Sequence, residues 1–192
     1  MTENSALRTI KHWLWREKEY SIVDAGNFTC LYDQSYVRVF RYVYGLCGGI
    51  QQEAEDITAE TFLRAWTARH HFSGNEQAAL GWLLQIARNL VIDTARRQKV
   101  RTTDDSVELE TLLDFNAIPE SELLTREQTA TLWKMLESLP DEMREMLVLR
   151  YMLGWQVNRI AAHLNTKENT VSVSIRRALS RLKNNWNQSQ GE

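Results

Sequence analysis

Apolar side chains recur at steps of three and four along most of this chain, the spacing that turns one face of an α-helix inward. Phe28, Leu31, Tyr32, Tyr36, Val39, Phe40, Val43 and Leu46 form the first such set, and the Gly48-Gly49 pair ends it. Ile57, Phe62, Leu63 and Trp66 predict a second helix over about 53–69, followed by a polar loop at 70–76. Leu80, Leu83, Leu84, Ile86, Ala87, Leu90, Val91 and Ala95 make a third, which runs into the basic cluster Arg96, Arg97, Lys99 and Arg101. Three packed helices over 28–98 are the expectation.

The period weakens from Thr102 to Thr125, where seven acids stand against no Lys or Arg, so an acidic linker is expected there. A second helical block begins near Leu132. Pro140 suits the first turn of its next helix, where no amide partner is needed, and Met143, Met146, Leu147 and Tyr151 share one face of that helix up to Leu153-Gly154. Two further helices, 156–164 and 168–184, flank the turn Asn165-Thr166-Lys167. The fold class is therefore all-α, as two small helical domains on a linker: an extension at 1–27, a first unit at 28–100, a linker at 101–128 and a second unit at 129–186.

Composition supports a helical reading, since 8 Gly and 2 Pro in 192 residues are too few for a strand-and-turn architecture. Cys30 and Cys47 lie 17 positions apart in one helical pattern, about 25 Å at ~1.5 Å per residue, too far for a disulfide; both are expected to be reduced and buried. The charged first 27 residues contain no secretory h-region, and no apolar run reaches the ~18 residues of a membrane helix. A cytoplasmic protein without membrane insertion is expected.

Net charge is −2, yet its distribution is uneven. Residues 88–101 and 167–183 each carry five basic side chains against one acidic, while 51–60 carries four acids and no base. The C-terminal helix pair has helix-turn-helix spacing: Ile160, Ala161 and Leu164, then a turn, then Val171, Ile175, Leu179 and Leu182. Its second helix sets Ser172, Arg176, Arg177 and Arg181 opposite the apolar stripe, with Thr170 and Lys167 near its start, hydroxyl and cationic groups suited to phosphates and base edges. Acids in the first turn of a helix complement its dipole; beside apolar groups they also make a protein-docking face.

The run Glu53-Ala54-Glu55-Asp56-Ile57-Thr58-Ala59-Glu60-Thr61-Phe62-Leu63-Arg64-Ala65-Trp66, followed by Gly81-Trp82-Leu83-Leu84-Gln85-Ile86-Ala87-Arg88-Asn89-Leu90, resembles region 2 of the extracytoplasmic-function (ECF) subfamily of sigma-70 factors of bacterial RNA polymerase. Leu139-Pro140, Leu147 to Tyr151, Ile160-Ala161 and Thr170-Val171 through Arg181-Leu182 resemble region 4 of the same family. This resemblance implies an initiation factor that binds core RNA polymerase through its largest and second-largest subunits and reads a two-part promoter. It implies core-polymerase contacts at Glu55, Asp56, Thr58, Glu60, Phe62 and Trp66. It implies minus-10 contacts at His71, Ser73, Asn75, Arg88, Asn89, Arg96 and Arg97, and minus-35 contacts at Lys167, Thr170, Ser172, Ser174, Arg176, Arg177 and Arg181. An anti-sigma factor is a further implied partner. No catalytic residue, cofactor or metal is expected.

The sequence departs from the family pattern at Asn165 and Asn169, where Gly is common, at Ser172 and Ser174, where basic residues are frequent, and at His163, usually apolar. Its promoter sequence is therefore not inherited from the family. Three other readings compete with this one, among them a purely structural helical adaptor. A stand-alone helix-turn-helix regulator needs only the second unit and leaves the 53–66 block unexplained. A metal-dependent hydrolase built on His70 and His71 lacks HExxH or CxxC spacing.

Overall fold

The computed structural model describes residues 21–101 and 126–189, so 102–125 of the expected linker and most of the N-terminal extension lie outside the described residues, while Arg101 and 126–128, expected in the linker, are helical. The described residues form helices and turns without strands: α1 (Ala25–Leu46), α2 (Gln51–Ala68), α3 (Glu76–Arg101), α4 (Arg126–Glu137), α5 (Asp141–Leu147), α6 (Val157–His163) and α7 (Glu168–Ser189).

The first helix begins three residues earlier than its apolar pattern. Asp24 is its N-cap, the side chain accepting from the Asn27 amide at 2.9 Å. Ile22, just before it, is buried to 1% exposure, and Arg69 Nε donates to the Val23 carbonyl at 2.9 Å. These lead-in residues thus pack on the first unit. Helices α1, α2 and α3 pack on one another around Leu31, Val39, Val43, Ala54, Ala65, Leu83 and Leu84.

In the second unit Pro140 is the N-cap rather than the first helical residue. Helix α5 then passes into a π-helical turn, Val148–Met152, in which the Leu153 amide reaches back to the Val148 carbonyl. Widening the turn rotates the face expected for the whole segment. Tyr151, predicted to share the buried side, is instead 61% exposed. Beyond it, α6 and α7 meet at Asn165, whose φ of 50° is the left-handed conformation that the turn requires.

The two units share one continuous core. Gly45 of α1 is buried against the π turn so closely that an added Cβ would stand 2.6 Å from Val148 Cγ2. At Gly49 (φ +83°) a Cβ would collide with the Trp133 ring, whose other neighbour is Tyr44 at 5.2 Å. Arg144 ties the seam from the α5 side. Its Nη1 donates to the Leu46 carbonyl at the end of α1, while Nη2 donates to Glu137 O at the end of α4, and Nε to Leu136 O. One guanidinium so answers helix-end carbonyls from both units, groups that otherwise lack intrahelical partners.

The cysteines do not match their expectation together. Both are free, but only Cys47 is largely enclosed, its thiol pushed up to about 12 by burial and the nearby Glu53; Cys30 is exposed. Phe28, Leu31 and Ser35 are the α1 residues nearby that turn inward, and position 30 falls off that stripe.

Candidate nucleic-acid interface and docking surface

Helix α7 buries Val171, Ile175 and Ala178 against the rest of the second unit. Burial of Val171 and Ile175 contributes about 1.5–3 kcal/mol per side chain and thereby fixes the helix's rotation. Lys167, Thr170, Ser172, Arg176, Arg177 and Arg181 are left exposed, with Ser174 half-buried. Among the described residues none of these three arginines has an ion-pair partner. The turn supports the presentation: the Thr166 amide donates to the Ala161 carbonyl at 2.9 Å, closing the end of α6. The result is a polar, cationic helix face with a rigid base, suited to duplex DNA. Leu179, placed in the apolar stripe by its spacing, is 40% exposed.

The second basic element is α3 and the loop before it. His71 and Ser73 are exposed, as are Asn89, Arg96 and Arg97. Asn75 is exposed but already employed, its Oδ1 accepting from the Ala78 amide at 2.9 Å at the start of α3. Phe72 leans on Trp82, ring centroids 5.1 Å apart, so an aromatic pair anchors the loop to the helix.

Arg88 is placed differently from the other α3 cations. Its Nε donates to Glu145 Oε2 at 2.9 Å, and its guanidinium is about a third exposed. Glu145 is 3% exposed, and its other oxygen accepts from the Tyr42 hydroxyl at 2.6 Å. The pKa of Tyr42 is raised well above its ordinary value by burial first and by the neighbouring carboxylate second. A residue expected to face DNA thus faces the second unit. Sequence reasoning missed this hub; its one signal was a carboxylate set among the apolar residues Met143 to Leu149.

Helix α2 divides the expected docking residues between surface and interior. Glu55 and Asp56 are exposed, and Glu60 pairs with Arg64 at 2.7 Å on the surface. Thr58 and Phe62 are buried, at 0% and 5% exposure. Phe62 packs edge-on to Tyr32 at 4.7 Å. These two support the face from beneath and do not form part of it. Trp66 is half-buried between Phe28, at 5.1 Å, and the Arg69 guanidinium, 3.6 Å above its ring. The exposed apolar groups here are Tyr32 and Leu63, the latter 60% exposed although its spacing had placed it in the core set.

Among the described residues, no three His, Cys, Asp or Glu side chains converge to hold a metal ion, and no helix is long and apolar enough to cross a membrane.

Residues 31–101 match the family described as Sigma-70 region 2, and residues 129–182 match Sigma-70, region 4. The ECF RNA polymerase sigma factor SigL of Mycobacterium tuberculosis is 31% identical over 165 residues, 83% of this chain and 89% of SigL. BldN of Streptomyces coelicolor, also an ECF RNA polymerase sigma factor, is 33% identical over 162 residues; the match spans 83% of this chain and 60% of BldN. The fold is similar to that of the sigma factor RpoE solved in complex with the anti-sigma factor NepR from Bartonella quintana, with TM-score 0.63 and 22% identity over 84% of this chain and 97% of RpoE. An acidic helix face in the first unit, a basic helix-turn-helix in the second, and kinship across both units lead to one assignment: the chain belongs to the ECF sigma factors of RNA polymerase.

Proposed function

We propose a division of labour among the three surfaces. The Glu55, Asp56 and Glu60 side of α2 docks on core RNA polymerase, with Leu63 and Tyr32 supplying exposed apolar area beside the acids. His71, Ser73, Asn89, Arg96 and Arg97 meet the minus-10 element. The α7 face reads the minus-35 element. The observation that carries the reading is the α7 geometry, with Arg176, Arg177 and Arg181 exposed and, among the described residues, without ion-pair partners, opposite the buried Val171, Ile175 and Ala178.

Arg88 joins the minus-10 surface only after its pair with Glu145 opens, so promoter engagement includes separation of the two units at this point. Thr58, Phe62 and Trp66 act by shaping the docking face, and Asn75 by capping α3. The site of action is the cytoplasm, and an anti-sigma factor is a further partner. The protein performs no bond chemistry of its own; affinity comes from charge and shape, selectivity from the two DNA-reading surfaces.

The test is run-off transcription with purified core polymerase on a promoter library, with core binding followed separately. Failure to bind core polymerase overturns the reading. Tight, selective promoter binding without polymerase favours a stand-alone regulator.

A further inference from the structure

A cleft of about 580 Å³ opens where the first unit meets the approach to α6. Arg38 of α1 and Gln77 of α3 contribute from the first unit, and Trp155, Gln156, Asn158 and Arg159 from the second. The volume lies within the roughly 300–1,000 Å³ of small-molecule sites.

Its electrostatics are unbalanced. Two guanidiniums line the cleft, and neither has a carboxylate partner among the described residues. Arg159 is only partly exposed, and its pKa is lowered first by burial and then by the charge of Arg38. Two like charges brought to one partly desolvated site repel, and an anion between them reverses the sign of the interaction. Arg159 is also held in place, its guanidinium carbon lying 4.0 Å over the Trp155 ring. Stacking uses the face of the guanidinium and leaves its in-plane N–H groups for a planar or tetrahedral oxyanion. Three carboxamides, Gln77, Gln156 and Asn158, add polar groups around the rim.

We propose that this cleft binds a small phosphorylated molecule, mononucleotide in size, whose phosphate bridges Arg38 and Arg159. Inorganic phosphate alone leaves much of the volume empty, and the Gln77, Gln156 and Asn158 carboxamides of the lining are groups that hydrogen-bond a polar ring. Because the two arginines belong to different units, the ligand favours the docked arrangement over the separated one. Binding therefore opposes release of Arg88 from Glu145 and lowers promoter use.

The experiment uses the full chain at fixed ionic strength, titrated with ATP, AMP and inorganic phosphate and followed by thermal shift and calorimetry. ATP or AMP is expected to raise Tm saturably, with inorganic phosphate weaker. Arg38→Gln and Arg159→Gln are each expected to weaken binding by about tenfold or more, the loss of one charge-assisted contact. Arg177→Ala, on the DNA-reading face, leaves nucleotide binding unchanged. Should Arg159→Gln fail to fold, exposed Arg38 decides alone. The absence of a saturable shift, or a shift that survives Arg38→Gln, overturns the proposal. A third arm titrates a short DNA duplex: if Arg38→Gln weakens duplex binding as much as Arg177→Ala does, the cleft serves DNA phosphates and the small-ligand proposal fails.

Discussion

Tyr42 and Glu145 stand 103 positions apart, and the phenol of one donates to the carboxylate of the other at 2.6 Å with both side chains buried. Arg88, from a third helix, completes the hub on the other carboxylate oxygen. The hub fastens the two sigma units together. Glu145→Ala leaves a buried hydroxyl and a guanidinium without their acceptor and is expected to cost about 3 kcal/mol, the low end for a broken buried pair because Arg88 is partly solvated. Glu145→Gln keeps the shape and an acceptor oxygen, and costs about 1 kcal/mol. Urea denaturation measures both; equal stability of Glu145→Ala and the parent chain would remove the hub from the account.

Gly45 offers a test whose sign depends on docking. Within an isolated helix Gly→Ala stabilises by about 1 kcal/mol. Here the new methyl meets Val148 Cγ2 at 2.6 Å and Met152 Sδ at 2.8 Å, so Gly45→Ala is expected to destabilise by about 1–3 kcal/mol. Adding Val148→Ala to Gly45→Ala should recover part of the loss. A stabilised Gly45→Ala protein would mean that the seam is open in solution.

Arg144→Ala removes the donors that serve Leu46 and Glu137 at the ends of α1 and α4. The expected loss is about 2 kcal/mol by chemical denaturation, in the range for hydrogen bonds to a charged group. Arg144→Lys should restore less than half, because an ammonium cannot span carbonyls that the guanidinium fork reaches at once.

His163 is held below its ordinary pKa of 6.5, chiefly by burial. Arg88 and Arg159 lower it further, and Glu145 acts in the opposite sense. Below 6.5 the unfolded chain therefore binds more protons at this site than the folded chain does, so acidification favours unfolding. Tm is expected to fall as pH drops below 6.5, and this contribution levels off below the folded-state pKa; above 6.5 it vanishes. Comparing Tm against pH for the parent and His163→Gln isolates it: the variant should show the shallower acid decline.

Replacing Arg176 and Arg177 by Ala should lower transcription from minus-35-dependent promoters while leaving core binding intact. If each contacts one phosphate, the salt dependence of promoter binding falls by about one unit per arginine removed. Asp56→Lys should give the reverse pattern, with weak core binding, unchanged circular dichroism and preserved α7 contacts. A loss of core binding in the arginine variants would place α7 at a different interface.

Much of the architecture follows from local spacing. Among the described residues the three- and four-residue period located α1, α2, α3 and α7 but placed the start of α4 near Leu132, six residues late, and the Asn165 turn was legible because only a few residue types tolerate a positive φ. The cationic face of α7 was legible because a face opposite a buried stripe is defined within one helix. Spacing misjudged Tyr151, Leu63 and Leu179 where a π turn or the width of the packed stripe decided burial. Thr58 and Phe62 were drawn into the docking surface by motif position, although both are buried, Phe62 against Tyr32 and Tyr36 of α1.

The sequence by itself determined which segments are helical, where charge collects, and that the chain pairs an acidic face in one unit with a basic reading helix in the other, because these are properties of neighbours along the chain. Only the tertiary structure decided that Arg88 belongs to Glu145, that Arg144 joins two helix ends, and that Arg38 and Arg159 share a cleft. Those relationships join residues far apart in sequence, and a side chain's charge or polarity carries no record of the distant group that will face it once the cores merge.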